Sequence, residues 1–246
     1  MKTAQNALKV ALIFMMGLAC GPASSEFTSE CVINEDQASL FSGRWPTHPV
    51  PLAVEASDFS EAEIQEIQQA IMTWNDFFES SKGFKLYFVS SNNNVLGLVS
   101  SGGIRLNSST VCSKVIASPS GFTGVIRIYK NSNVWSYGSQ VMALTSFCRL
   151  QRQGESFLEF YAAVMEVNYK DYFVSGKAKP DLQRIVLHEL GHILGLDHSC
   201  NGAECTSAPE SYRSAVMYPS LGFNGINGKV KQSLGTNDME RANCLY

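Results

Sequence analysis

Between Ser60 and Ser80 apolar residues recur at helical spacing. Ile64, Ile67, Ile71, Trp74 and Phe78 follow one another at steps of 3, 4, 3 and 4, which makes one buried face of an amphipathic helix. Ser60 and Glu63 form an S-x-x-E capping box at its start, and Phe59 and Ile64 flank the cap as a hydrophobic staple. The stripe is read as core. A second helix is predicted from near Pro180, where Pro suits a first turn and Asp181 complements the positive end of the helix dipole. Leu182, Ile185, Val186, Leu187, Leu190, Ile193 and Leu194 cover most of its circumference, so it belongs inside the protein. Short β-branched or aromatic runs bounded by Gly, Asn and Ser read as strands. They are Lys85 to Val89, Ile104 to Leu106, Val125 to Lys130, Val141 to Thr145 and Ala162 to Asn168, with Leu52 to Val54 entering the sheet after Pro46, Pro49 and Pro51. This order predicts an α+β fold, a twisted mixed sheet of about five strands with two long helices on one side.

Composition adds that the chain can build a core. It is 45% hydrophobic and 17% charged over 246 residues, which argues against disorder. A net charge of -3 without a clustered basic surplus excludes a nucleic-acid footprint. Lys2 and Lys9 followed by the apolar run Val10 to Ala19 read as an export signal over 1–19, too short to span a bilayer of roughly 30 Å. Cys20 follows in Gly-Leu-Ala-Cys-Gly-Pro, which resembles a bacterial lipobox with Gly17 where a Leu is usual. The alternative is ordinary cleavage nearby, for instance after Ala23. The protein is thus expected outside the cytosol or in the cell envelope, touching a membrane only if Cys20 carries lipid. Setting Cys20 aside leaves six cysteines, an even number suited to three disulfides in an oxidising compartment. Cys200 with Cys205, Cys112 with Cys148 and Cys31 with Cys244 is one assignment among fifteen connectivities. Residues 20–43 are expected to be a tether or short pro-segment, and 44–246 a single domain with a subdomain break near 198.

Chemistry concentrates on the second helix. It carries His188-Glu189-Leu190-Gly191-His192, and side chains four apart share one helix face. Two imidazoles so placed converge on one ion at about 2.0–2.1 Å. Glu189, offset by about 100°, points beside the ion, where a base for a metal-activated water belongs. Gly195 stops the helix and turns the chain, bringing His198 back as a third ligand. Three neutral nitrogens leave a position open, which marks a catalytic zinc. The pattern H-E-x-x-H-x-x-G-x-x-H arises by chance about once in a million starting points. Three of the four histidines fall inside it, and the fourth, His48, is read as a surface residue.

His188 to Ser199 (HELGHILGLDHS) resembles the zinc signature of the metzincins, in the matrixin branch. Ala215 to Pro219 (AVMYP) is similar to that family's Met-turn, and Arg44-Trp45 and the helix through Trp74 resemble the opening of its catalytic domains. The likeness is loose over 44–90, close over 180–220 and partial over the last helix, and 91–160 offers none. It implies Met217 beneath the ligands, Tyr218 and Pro219 as pocket wall, and Asp238 bracing the Met-turn. It also implies one catalytic Zn2+, a small C-terminal subdomain, and peptide hydrolysis with Glu189 as general base and acid. A second zinc held by three further histidines cannot be built, since only His48 remains. Calcium is usual in the family, but its ligands are not identifiable. Asp197 is read as a neighbouring group, not a ligand. The expectation is a monomeric endopeptidase acting on an extended protein or peptide laid along an edge strand, for which Val164 to Asn168 is the candidate. The alternative is a binding or adhesion protein that keeps the zinc fold without turnover.

Overall fold

The computed structural model describes residues 31, 33, 35–37, 39–55, 58–88, 97–99, 112, 126–154, 157–174, 180–220 and 231–246. Strand β1 (Val50–Glu55) is followed by helix α1 (Glu61–Lys82), then by strands β2 (Tyr87–Phe88), β3 (Gly97–Val99), β4 (Ile126–Asn131), β5 (Ala143–Leu150) and β6 (Glu159–Asn168), and last by helices α2 (Leu182–Leu194), α3 (Glu210–Arg213) and α4 (Thr236–Leu245). The α+β expectation holds. The sheet runs β2-β1-β4-β6-β5, with β3 also on β1. All pairs are parallel except β5 with β6. Strand β3 has no counterpart among the expected strands, and the expected strand Ile104 to Leu106 lies outside the described residues.

Helix α1 forms for the reasons its sequence advertises. Glu63 N–H donates to Ser60 Oγ and Ser60 N–H to Glu63 Oε2, and Gly83 closes the other end in the left-handed conformation at φ 76°. Ile67, Ile71, Trp74 and Phe78 are fully buried against α2 and the sheet, whereas Ile64 is only partly covered. Helix α2 begins two residues past Pro180. Asp181 is its N-cap, with its carboxylate accepting from Arg184 N–H at 3.0 Å, so it satisfies an orphan donor as well as the dipole.

Val164 to Asn168 is not an edge. It belongs to β6, which lies between β4 and β5. Met165 and Val167 enter the main core, while Ala162 and Val164 join a second cluster with Tyr129 and Cys148 on the opposite face. A strand buried on both faces reads as a continuous apolar run and takes an interior position. Among the described residues the edge beyond β6 belongs to β5, which runs antiparallel to it.

The packed structure also extends upstream of the expected boundary at 44. Ser42 N–H donates to Gly195 O at 2.9 Å, Asp197 N–H to Leu40 O at 3.1 Å, and Gln37 Nε2 to Ser199 O at 3.1 Å. Cys31 is disulfide-bonded to Cys244 in α4. Residues 35–37 and 39–43 therefore form a strap across the turn that follows α2. Cys112–Cys148 and Cys200–Cys205 complete the three disulfides in the pairing given above. Among the described residues no helix is long and apolar enough to cross a membrane.

One polar group locks α1 to the sheet. Glu63 also accepts from Lys130 Nζ at 2.9 Å and Tyr169 OH at 2.8 Å. Burial alone would raise its pKa, but Lys130, the Ser60 N–H and Tyr169 outweigh it and hold the carboxyl at about 2. A folded-state pKa below the ordinary 4.5 gives stability that is complete above that value and disappears as pH falls from 4.5 toward about 2. The melting-temperature advantage of wild type over Glu63→Gln should therefore be full at pH 6 and shrink steadily below pH of about 4.5. A gap that stays constant down to pH of about 2.5 would show that the ionised carboxylate contributes nothing.

Candidate active site

Helix α2 is gripped along its rear. Trp74 Nε1 donates to Leu187 O at 3.0 Å, Tyr87 OH to Leu190 O at 2.7 Å, Trp45 Nε1 to Ile193 O at 2.8 Å, and Tyr246 OH to Leu194 O at 2.8 Å. Four buried aromatic tips thus find acceptors on one helix, which fixes its rotation and height. Two glycines set what lies around it. A Cβ on Gly191 would sit 2.2 Å from Met217 Sδ, so only Gly lets the Met-turn approach this closely. Gly195 adopts φ +121° and a Cβ there would stand 1.9 Å from the carbonyl oxygen of Gly43 in the strap. Leu196 N–H then donates back to Gly191 O at 3.0 Å, and the chain reverses toward His198.

The turn brings His188, His192 and His198 together, with their ligand atoms within 4.8 Å of one another. His188 Nδ1 lies 2.7 Å from Val216 O and His192 Nδ1 2.8 Å from Leu196 O. A carbonyl only accepts, so each Nδ1 carries the proton and each Nε2 keeps its lone pair for a ligand. Burial, reinforced by the neighbouring imidazoles, holds His188 well below its ordinary pKa and His198 at about 4; burial also lowers His192. Neutral, convergent nitrogens on one buried and two half-buried histidines are what a divalent zinc ion requires, and polar groups so withdrawn from water demand some partner. The three histidines fit one such ion and leave a position open. Among the described residues no other grouping of His, Cys, Asp or Glu gathers this way.

Glu189 is 6% exposed and faces a cleft of about 840 Å³ bounded by β5 on one side and by Pro219 and Ser220 on the other. Burial pushes its carboxyl up to about 7, against a hydrogen bond from Thr145 Oγ1 at 2.6 Å that favours the anion. Met217 lies beneath the helix, fully buried. Asp238 accepts from Val216 N–H at 2.7 Å, Met217 N–H at 3.0 Å and Gly235 N–H at 2.8 Å, so the last helix does brace the Met-turn. Ser199 N–H closes the ring by donating to Met217 O at 2.8 Å.

One expected placement differs. Tyr218 is not among the residues lining the cleft. Its OH donates to Cys205 O at 3.3 Å and its ring lies under Lys231 Nζ, so it ties the Met-turn to the small disulfide loop while Pro219 and Ser220 form the wall. Asp197 lines the cleft, and its backbone oxygen accepts from Arg241 Nη2 at 3.0 Å. His48 is exposed, stacked on Phe84 and away from the three ligands. Sequence reasoning missed Thr145, which sits in an ordinary strand pattern, and the strap, whose polar composition gives no sign of packing.

A mixed sheet with an antiparallel edge, a helix presenting two histidines, a third after a glycine turn and a methionine turn below together define a metzincin domain. A family model for matrixins matches residues 109–246, over half of the chain, and the chain belongs to that family. The match takes in β4, β5 and β6, so part of the stretch in which no likeness was expected belongs to it as well. Metalloendoproteinase 2-MMP of Arabidopsis thaliana is 36% identical over 76 residues, which is 31% of this chain but only 16% of that protein. The crystal structure of metalloproteinase-II from Bacteroides fragilis is 15% identical with a TM-score of 0.39, covering 89% of this chain and 61% of that one.

Proposed function

We propose that the protein is a zinc-dependent endopeptidase that acts on extended segments of other proteins outside the cytosol. The observation that carries this is the convergence of His188, His192 and His198 beside the buried Glu189, in an open cleft overhung by the sheet edge. When bound, zinc supplies a Lewis acid that polarises the scissile carbonyl and makes a water nucleophilic near neutral pH. His188, His192 and His198 would hold it as neutral ligands. Glu189 takes the proton of the attacking water and passes it to the departing amine, and a carboxyl near neutral pKa suits both transfers. Among the described residues strand β5 has no strand on its outer side, so it offers its edge to a substrate backbone in extended form lying across the cleft. Three disulfides among six cysteines support an oxidising compartment, and the N-terminal stretch before Cys20 is the proposed export leader.

Mapping the ends of products from an unfolded protein tests the endopeptidase part. New amino termini at internal positions are expected, several residues from either end. Release of terminal residues alone would make the enzyme an exopeptidase and remove the proposed role of the β5 edge.

A further inference from the structure

We infer that Thr145 is a positioning residue for Glu189, coupling the strand along which substrate adds to the carboxylate that moves the proton. The inference rests on the peptidase reading above and goes beyond it. Thr145 lies on β5 opposite Met165 of β6, at the edge that overhangs the cleft. Its Oγ1 donates to Glu189 Oε2 at 2.6 Å, the length of a strong charge-assisted hydrogen bond. Among the described residues it is the only hydrogen-bond partner of that carboxylate. Everything else about Glu189 is covered: it is buried on a helix whose rotation is fixed from behind by Trp74 and Tyr87.

A glutamate side chain has three rotatable bonds, and burial alone does not choose among its rotamers. One donor on one oxygen does. With Oε2 held by Thr145, the carboxylate plane is set and Oε1 is left free for the water and the leaving amine. Threonine is suited to the task, because β-branching restricts χ1 and aims the hydroxyl in a fixed direction. The donor also sits on the strand that pairs with substrate. Occupation of the β5 edge therefore steadies the same residue that orients the base, so binding and proton transfer share one mechanical element.

Three proteins test this: wild type, Thr145→Val, which keeps the shape and loses the donor, and Thr145→Ser, which keeps the donor. Each is loaded with zinc and assayed on one peptide for kcat and KM, its zinc dissociation constant is measured by competition with a chelating dye, and its crystal structure is determined. Thr145→Val is expected to lose about 10- to 100-fold in kcat with KM and zinc affinity changed less than about twofold, and to show the Glu189 carboxylate turned from its wild-type orientation. Thr145→Ser should recover to within about threefold of wild type with Glu189 in place. A kcat for Thr145→Val within about twofold of wild type would overturn the inference, as would a kcat loss matched by lost zinc affinity, or Thr145→Ser as slow as Thr145→Val. Failure of the wild type to hydrolyse anything would sink the peptidase reading instead. The orientation of Glu189 in the two variant structures would still decide the role of Thr145.

Discussion

Glu189→Gln is expected to bind zinc as wild type does and to hydrolyse peptide about 10²–10⁴-fold more slowly. The substitution changes chemistry and almost nothing else. Gln has the same length and shape, its amide oxygen still accepts from Thr145, and the three ligating histidines keep their carbonyl partners. What is lost is a group able to take a proton and give it back. No neighbour substitutes for it. Among the described residues Asp197 is the other carboxylate lining the cleft, but it follows Leu196 on the turn, and its backbone is tied to Leu40 and Arg241. Metal analysis alongside steady-state rates checks both halves. Retained zinc with a rate within about tenfold of wild type would mean that another group, or solvent, handles the proton.

Gly195→Ala is expected to damage the fold as severely as Glu189→Gln damages the rate. Two costs combine. A residue with a Cβ resists φ +121°, and that Cβ would overlap the Gly43 carbonyl, a backbone atom that the strap cannot easily withdraw. Each contributes about 1–3 kcal/mol, so the sum is about 2–6 kcal/mol. At about 2–4 °C per kcal/mol for a domain of this size, the melting temperature should fall by about 10 °C, and zinc affinity should drop because the turn carries His198. Gly154→Ala separates the two costs. Gly154 also has positive φ, at +89°, but nothing lies within 4 Å of its would-be Cβ. That variant should lose about 1 kcal/mol. Equal losses for both would show that the strap does not press on the turn.

What could be read from the chain in advance follows the range of the forces involved. Helix α1 was legible to its cap, because its apolar period and the Ser60–Glu63 box are local. The histidines, Glu189 and Gly195 were legible because a metal site built on a helix and one turn has its geometry written in sequence spacing. Asp238 could be assigned to the Met-turn only through the matrixin likeness, since nothing near it in sequence points to Val216. Strand neighbours were not legible. The edge expected at Val164–Asn168 falls on β5 instead: the apolar run Phe160 to Met165 that leads into that segment marks a strand covered on both faces, whereas β5 carries polar Thr145 and Ser146. The strap escaped notice because its contacts to Gly195, Asp197 and Ser199 are made mainly by backbone groups, which any sequence possesses. Tyr218 was placed in the pocket by its position beside Met217. Its ring instead turns toward the Cys200–Cys205 loop, a direction set by tertiary packing.

The fold and the chemistry meet at the metal, so the most direct measurement follows metal and turnover in one sample. The purified protein is stripped with a chelator, titrated with zinc, and assayed at each step for cleavage of an unfolded protein, with Glu189→Gln beside it. The account predicts that cleavage disappears on stripping, returns in proportion to zinc and saturates at one ion per chain, while the variant binds the same ion and stays silent. Wild type that takes up its zinc and cleaves no faster than Glu189→Gln would contradict it and leave a zinc-bearing binding protein in its place.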